Sequence, residues 1–216
     1  MADRDIFVEV RAATQDLVSI EEVKKYLGYN WTDPVADEQL QMQISFMSAT
    51  VAEIANRTFG EETLIETWRE IGDGRLFLSH WPIKDPEGIL DVSQGGYGVI
   101  AGEYDLEGDS GKLSLYSENG AASGQWKAPA VVHYTGGYKL PEEAPLPLKQ
   151  ACIVLIQETR IRNQQAQVAG IRQLSHKESR VAFYDPNALL LKTVGAKSPG
   201  IQAAENLVRQ YMRFEC

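Results

Sequence analysis

Three histidines, two cysteines and a run of alternating carboxylates are the residues best suited to chemistry in this 216-residue chain. His80, His133 and His176 could ligate a metal through neutral imidazoles. None has a second histidine three or four positions on, the spacing that sets two rings on one side of a helix. They read as structural, His80 and His133 in predicted strands and His176 in a polar loop. Cys152 stands in an apolar helical run and reads as a buried small hydrophobe, while Cys216 is the last residue and reads as an exposed thiol. No C-x-x-C pair occurs, so neither a zinc site nor a dithiol redox site is expected.

Asp105, Glu107 and Asp109 alternate like the start of a calcium loop. Ser110 stands where that loop needs glycine, and Tyr116 stands where it needs the bidentate glutamate. Gly95-Gly96-Tyr97-Gly98 resembles a phosphate-cradling loop only in its glycines. It lacks the Lys-Ser/Thr ending and no helix follows, so a turn is expected. No G-x-S-x-G and no Cys/His pair stands out, and nothing selects two carboxylates as an acid–base pair. The residues by themselves therefore nominate no catalytic residue, no metal and no cofactor.

The elements around these residues carry more information than the residues themselves. SIEEVKKYLG opens with a capping box, Ser19 and Glu22, and stops at Gly28. A long helix over about 36–57 follows, with Leu40, Ile44, Met47, Val51 and Ile54 recurring at alternating spacings of four and three as a core-facing stripe. From Thr63 the period changes to two. TLIETWRE, GRLFLSHWPI, GILDVSQ, GKLSLYS and PAVVHYTGG read as short strands between Gly, Asp, Pro and Asn. KLPEEAPLP (139–147) is too rich in proline for regular structure, and Pro147 suits the first turn of a helix running to about Gln167. Leu148, Cys152, Leu155, Ile156 and Thr159 line one side of that helix. NQQAQVAGIRQLSHKES is polar, SRVAFYD is a candidate strand, and a last helix follows Pro199. The predicted class is α+β, a helical bundle with an inserted small antiparallel β-domain and an extended C-terminal arm ending in a final helix. The expected segments are 1–62 N-terminal helices, 63–138 β insertion, 139–169 long core helix, and 170–216 arm and helix. There is no βαβ rhythm, which argues against a dinucleotide-binding fold.

Net charge is −9, unevenly spread. Residues 61–118 hold thirteen acidic and four basic residues, whereas residues 160–216 hold four acidic and nine basic. This balance opposes tight phosphate binding, which rests on Lys and Arg. It suits a conduit whose acidic lining keeps moving DNA off the wall. No apolar run is long enough to span a bilayer, so no membrane partner is expected. The start, MADRDIFVEVRAATQD, lacks the basic and apolar blocks of a secretory signal, which points to a cytoplasm.

LSHWPIKDPEGILDV (78–92) resembles the strand–Trp-Pro–strand element of bacteriophage head–tail connector proteins, also called adaptor or head-completion proteins. HYTGGYKLPEEAPLPLKQACIVLI (133–156) is similar to their Tyr-x-x-Gly-Tyr, proline and long-helix succession. The two N-terminal helices and the closing SRVAFYD-plus-helix match the same order, so the resemblance covers most of residues 17–215.

The resemblance implies a non-enzymatic virion protein: one subunit of a ring, dodecameric, between the portal and the tail. It implies the portal on one side, a stopper or tail-completion protein on the other, and double-stranded DNA passing through without sequence-specific binding. The place implied is the head–tail interface of the virion, after assembly in the host cytoplasm. In this reading Gly136 and Gly137 take backbone conformations closed to other residues, and Tyr134, Tyr138 and Trp81 pack at the junction.

The basic C-terminal segment suits portal docking. Arg162, Arg172, Arg180, Arg209 and Arg213 would meet carboxylates, and Leu207, Val208 and Tyr211 would supply apolar burial. The candidate portal-binding set is Arg180, Leu207, Val208, Arg209, Tyr211 and Arg213. The other possibility is that the last helix folds back on its own subunit. Two further functions stay open: a tail-completion or terminator ring subunit, and a small hydrolase or carbohydrate-binding module using Trp68, Trp81 and Trp126.

Overall fold

The computed structural model describes residues 4–71, 74–84, 87–117, 120, 124–168, 173–176, 179–182 and 198–213. The chain divides into two compact units. One comprises residues 1–19, 56–144 and 213–216; the other comprises residues 20–55 and 145–212. The class is α+β, with helices and antiparallel sheets.

The first unit is built on two antiparallel sheets. Its strands are β1 (Arg4–Val10), β2 (Glu62–Trp68), β3 (Arg75–Phe77), β4 (Ile89–Gln94), β5 (Tyr97–Gly98), β6 (Tyr104–Glu107), β7 (Lys112–Leu115) and β8 (Ala130–Gly136). The five-stranded sheet runs β1-β2-β8-β4-β5 and the three-stranded sheet runs β3-β7-β6. Period-two burial on β2 and β8 sends Leu64, Trp68, Val132 and Tyr134 inward, where they meet Leu76, Leu113 and Leu115 of the smaller sheet. Gly95 and Gly96, with φ of +55° and +85°, make the two-residue turn between β4 and β5, so the glycine cluster is a hairpin turn as expected. β1 is an element that the sequence reading lacks. The stretch GRLFLSHWPI yields only the three residues of β3, because Leu78–Ile83 leaves the ladder as a loop. His80 is therefore in that loop and not in a strand.

The second unit contains α1 (Ile20–Leu27), α2 (Pro34–Ala55), α3 (Leu146–Val168), a two-stranded ribbon of β9 (Gln173–His176) and β10 (Ser179–Ala182), and α4 (Pro199–Val208). His176 falls at the end of β9 rather than in a loop. Gly28 closes α1 with φ +70°. α2 and α3 pack along Ile44, Ser48 and Val51 against Leu148, Cys152 and Ile156, and Ser48 Oγ is 3.6 Å from Cys152 Sγ. The buried row of α2 is Leu40, Ile44, Ser48, Val51 and Ala55, while Met47 and Ile54 are only half-buried. Cys152 is buried, as expected. α4 starts at the N-cap Ser198, whose Oγ accepts from the Ile201 N–H at 3.3 Å, and it packs on α3 and α2. The final helix is thus folded onto the helical unit. Gly200 touches Glu158 of α3 so closely that a Cβ would collide with its carboxylate.

Candidate interaction surfaces and a buried polar cluster

Titratable groups converge under the Leu78–Ile83 loop. Glu66 on β2 is fully buried. Its Oε1 accepts from Tyr134 Oη and from the Ser79 N–H at 2.8 Å. Tyr134 Oη in turn accepts from the N–H groups of Ser79 at 3.0 Å and His80 at 3.1 Å. Arg4 reaches across from β1 to Glu66 at 3.5 Å and to the Phe77 carbonyl at 3.2 Å. Burial, and then the Glu66 charge, push the Tyr134 phenol far up, so it remains a donor.

Nearby, Arg57 stacks over Trp81, 3.6 Å from the ring centroid, and donates to the Trp81 carbonyl. Arg213 Nη1 donates to Ser79 Oγ at 3.2 Å. His80 Nε2 lies 3.3 Å from Glu62. That carboxylate already accepts from Gln15 Nε2 at 3.1 Å. Burial first, then the charges of Arg57, Arg213 and Arg4, push His80 down to about 4. They outweigh a carboxylate that other donors already engage. Burial likewise lowers Arg57 to about 10.

An acid–base pair such as Glu66 and Tyr134 would need a route for substrate. Both are fully buried, and the hollows lined by Gln94, Glu103, Tyr116 and Lys127, and by Trp31, Gln39 and Arg160, include none of this cluster. The cluster is a latch that ties the loop after β3 to β2 and β8. It makes stability pH-dependent. His80 titrates near 6.5 when unfolded and near 4 when folded, so the unfolded chain binds more protons between those values. Stability is fully present above about pH 6.5 and falls as pH drops toward 4, by about 3 kcal/mol from this group. Urea midpoints at pH 7 and 4.5 should differ less in His80→Gln than in the wild type. An equal acid loss in both would show that His80 is not the sensor.

The other sequence-predicted sites do not gather. Glu107 is tied to Ser110 at 2.8 Å and Lys112 at 3.4 Å, which hold its carboxyl below the usual range; Ser110 contributes most. No group of three metal-ligating side chains occurs among the described residues. Trp68 and Trp126 are buried in the β core and Trp81 is under Arg57, so the three tryptophans form no exposed platform.

Of the C-terminal set, Val208 is fully buried, Leu207, Tyr211 and Arg213 are half-buried, and Arg209 is exposed. Arg180 stands on β10, opposite Ser175. Arg162 pairs with Glu158 at 2.8 Å. Arg172 and Cys216 lie outside the described residues.

Two exposed apolar surfaces were missed by the sequence reading. On α2, residues 35, 39, 42, 46, 49 and 53 are all exposed and follow spacings of four and three. They are Val35, Gln39, Met42, Phe46, Ala49 and Glu53, with Val35, Met42 and Phe46 each more than 60% exposed. α2 is therefore apolar on two sides, and its second stripe shares the period of the first. The other surface is β1, an edge strand whose Ile6, Phe7 and Val10 face solvent.

No family model matches the chain and no curated protein sequence matches it. Its fold is similar to that of solved chains from gene transfer agent particles. A chain in the neck of an empty particle, computed with C6 symmetry, has a TM-score of 0.54 at 13% identity, covering 98% of this chain and 97% of that one. A chain in the virion of the native particle has a TM-score of 0.52 at 15% identity, covering 98% and 96%. The likeness spans both units, so the fold of this chain is the one seen in those particle chains.

Proposed function

We propose that the chain is a structural subunit of the neck of a phage-like particle, and within it the adaptor ring between portal and tail. The observation that carries this reading is the end-to-end fold likeness to a neck chain, over 98% of one and 97% of the other. A shared motif would match one unit; this likeness takes in both. The enclosed polar cluster and the exposed α2 stripe support the same reading, since both suit a scaffold that acts through its surfaces. The subunit repeats around the channel, in a ring of twelve. The portal lies on one side, a stopper or tail-completion protein lies on the other, and DNA passes a predominantly acidic subunit without base contacts.

Portal contact through the C-terminal segment uses Arg209 and the exposed parts of Leu207 and Tyr211, which the fold leaves accessible, together with Arg180, which stands on the β9–β10 ribbon. Val208 acts from inside by fixing α4, and Arg213 by holding Ser79. Exposed arginine pairs contribute only about 0–1 kcal/mol each, so the half-buried apolar edges must supply most of the affinity.

The test is to make particles without this chain and image them. DNA-filled heads without tails are expected, with density restored between portal and tail by a tagged wild-type chain. Tailed particles in its absence would overturn the reading, and tag density at the far side of the tail joint would favour a tail-completion ring instead.

A further inference from the structure

We infer that the outer stripe of α2 is the contact between successive copies of this chain, and that it packs on the exposed side of α3 of the neighbouring copy. The inference rests on the ring reading above and names the surfaces that would close the ring.

A contact between chains that each carry −9 must keep carboxylates apart. The α2 stripe does so: Val35, Gln39, Met42, Phe46 and Ala49 are uncharged, and only Glu53 at its end carries charge. α3 offers a second stripe. Leu146, Gln150, Val154, Gln157, Ile161 and Gln164 follow spacings of four, four, three, four and three, all are exposed or half-buried, and none is charged. Leu146 is 80% exposed and Ile161 is 53% exposed, an unusual state for aliphatic residues on a helix whose opposite side forms the core. The two helices are of matching length, 22 and 23 residues, or roughly 33–35 Å at about 1.5 Å per residue.

A ring needs two different patches on each subunit, because only a head-to-tail contact repeats around an axis and closes. One stripe on α2 and one on α3 meet that requirement. A hollow of about 130 Å³ bounded by Trp31, Ala36, Gln39, Leu40, Gln43 and Arg160 lies beside the α2 stripe at Gln39. It is comparable to the cavity of about 150 Å³ that takes a benzene ring, so it has room for one aliphatic side chain of a neighbour.

A single helix stripe of this length covers a few hundred Å², below the roughly 800 Å² per partner of a stable pair. The isolated chain is therefore expected to be monomeric at micromolar concentration, with the ring forming where a template holds copies side by side.

The experiment uses the full chain in assembled particles. Phe46→Glu and Ile161→Glu change exposed residues, so both variants should keep the wild-type circular dichroism and urea midpoint. Each should lower the yield of tailed particles at least tenfold. In a Cys216→Ser background, Met42→Cys combined with Ile161→Cys and a short bismaleimide should give a ladder of covalent oligomers from particles. Either cysteine alone should give none.

If wild-type particles show the ring while Phe46→Glu assembles normally, or Met42→Cys alone yields dimers, the α2–α3 contact is wrong and the neck reading stands. If wild-type particles show no ring of this chain, both are overturned.

Discussion

Val51→Asp should unfold the helical unit. Val51 is fully buried on α2, one turn beyond Ser48, whose hydroxyl sits beside Cys152 of α3. Ser48 is the only buried polar residue of that unit among those described, so an aspartate at 51 would enter an otherwise apolar row of α2, Leu40, Ile44, Val51 and Ala55. The loss combines about 1.5–3 kcal/mol of apolar burial with several kcal/mol for an unpaired charge. Against a typical total of about 5–15 kcal/mol, this is enough to abolish the folded unit. Val51→Ala leaves a small void and no charge, and should cost about 2 kcal/mol. Helical ellipticity and urea midpoints separate the two variants. A soluble Val51→Asp protein with the wild-type midpoint would show that the α2–α3 contact is not the core. Phe46→Glu, on the same helix but exposed, should leave the midpoint in place. The contrast between 46 and 51 is thus a contrast between assembly and folding.

Much of this arrangement was legible in the sequence, for identifiable reasons. The change of period at Thr63 marks where helices give way to strands, and the capping box at Ser19 and Pro199 mark helix starts that the structure reproduces within two residues. The α2 stripe was half legible. Spacings of four and three fit Leu40, Ile44 and Val51, but they also fit Val35, Met42 and Phe46, and periodicity alone does not tell a core side from an assembly side. β1 was missed because RDIFVEV interleaves charges with apolar residues on both faces of an edge strand, so its alternation points to no single interior. The buried polar cluster was invisible. Glu62 and Glu66 share β2, but His80 and Tyr134 come from later in the chain, and only the β2–β8 register and the loop after β3 bring them to those carboxylates. In the chain they read as ordinary polar positions on strands.

Gly137→Ala should be the most damaging single-methyl change in the β unit. Gly137 has φ +113°, a conformation in which a side chain is strained by about 1–3 kcal/mol. A Cβ there would lie 2.3 Å from the Gly60 carbonyl oxygen and 2.7 Å from its carbon, with Glu61 Cα at 2.9 Å. All three are backbone atoms, so no side chain can rotate away. The neighbouring hydrogen bonds resist a shift: Gly137 N–H to Pro82 O at 2.9 Å, Tyr138 N–H to Phe59 O at 2.8 Å, and Glu61 N–H to Tyr138 O at 2.8 Å. Overpacking of this kind adds roughly 1–3 kcal/mol, for a total of roughly 2–6 kcal/mol. Gly136 is restricted for a different reason, because its Cβ would lie 2.3 Å from the His80 carbonyl oxygen while its φ is ordinary. Gly96→Ala provides the reference. Its φ is +85° but nothing lies within 4 Å of the added carbon, so it carries the conformational cost alone, about 1–2 kcal/mol. Urea unfolding of the two alanine variants should therefore separate close approach from φ strain. Equal midpoints would mean that the chain at Gly60 yields to the methyl, and that the junction between β2 and β8 is not held by that contact.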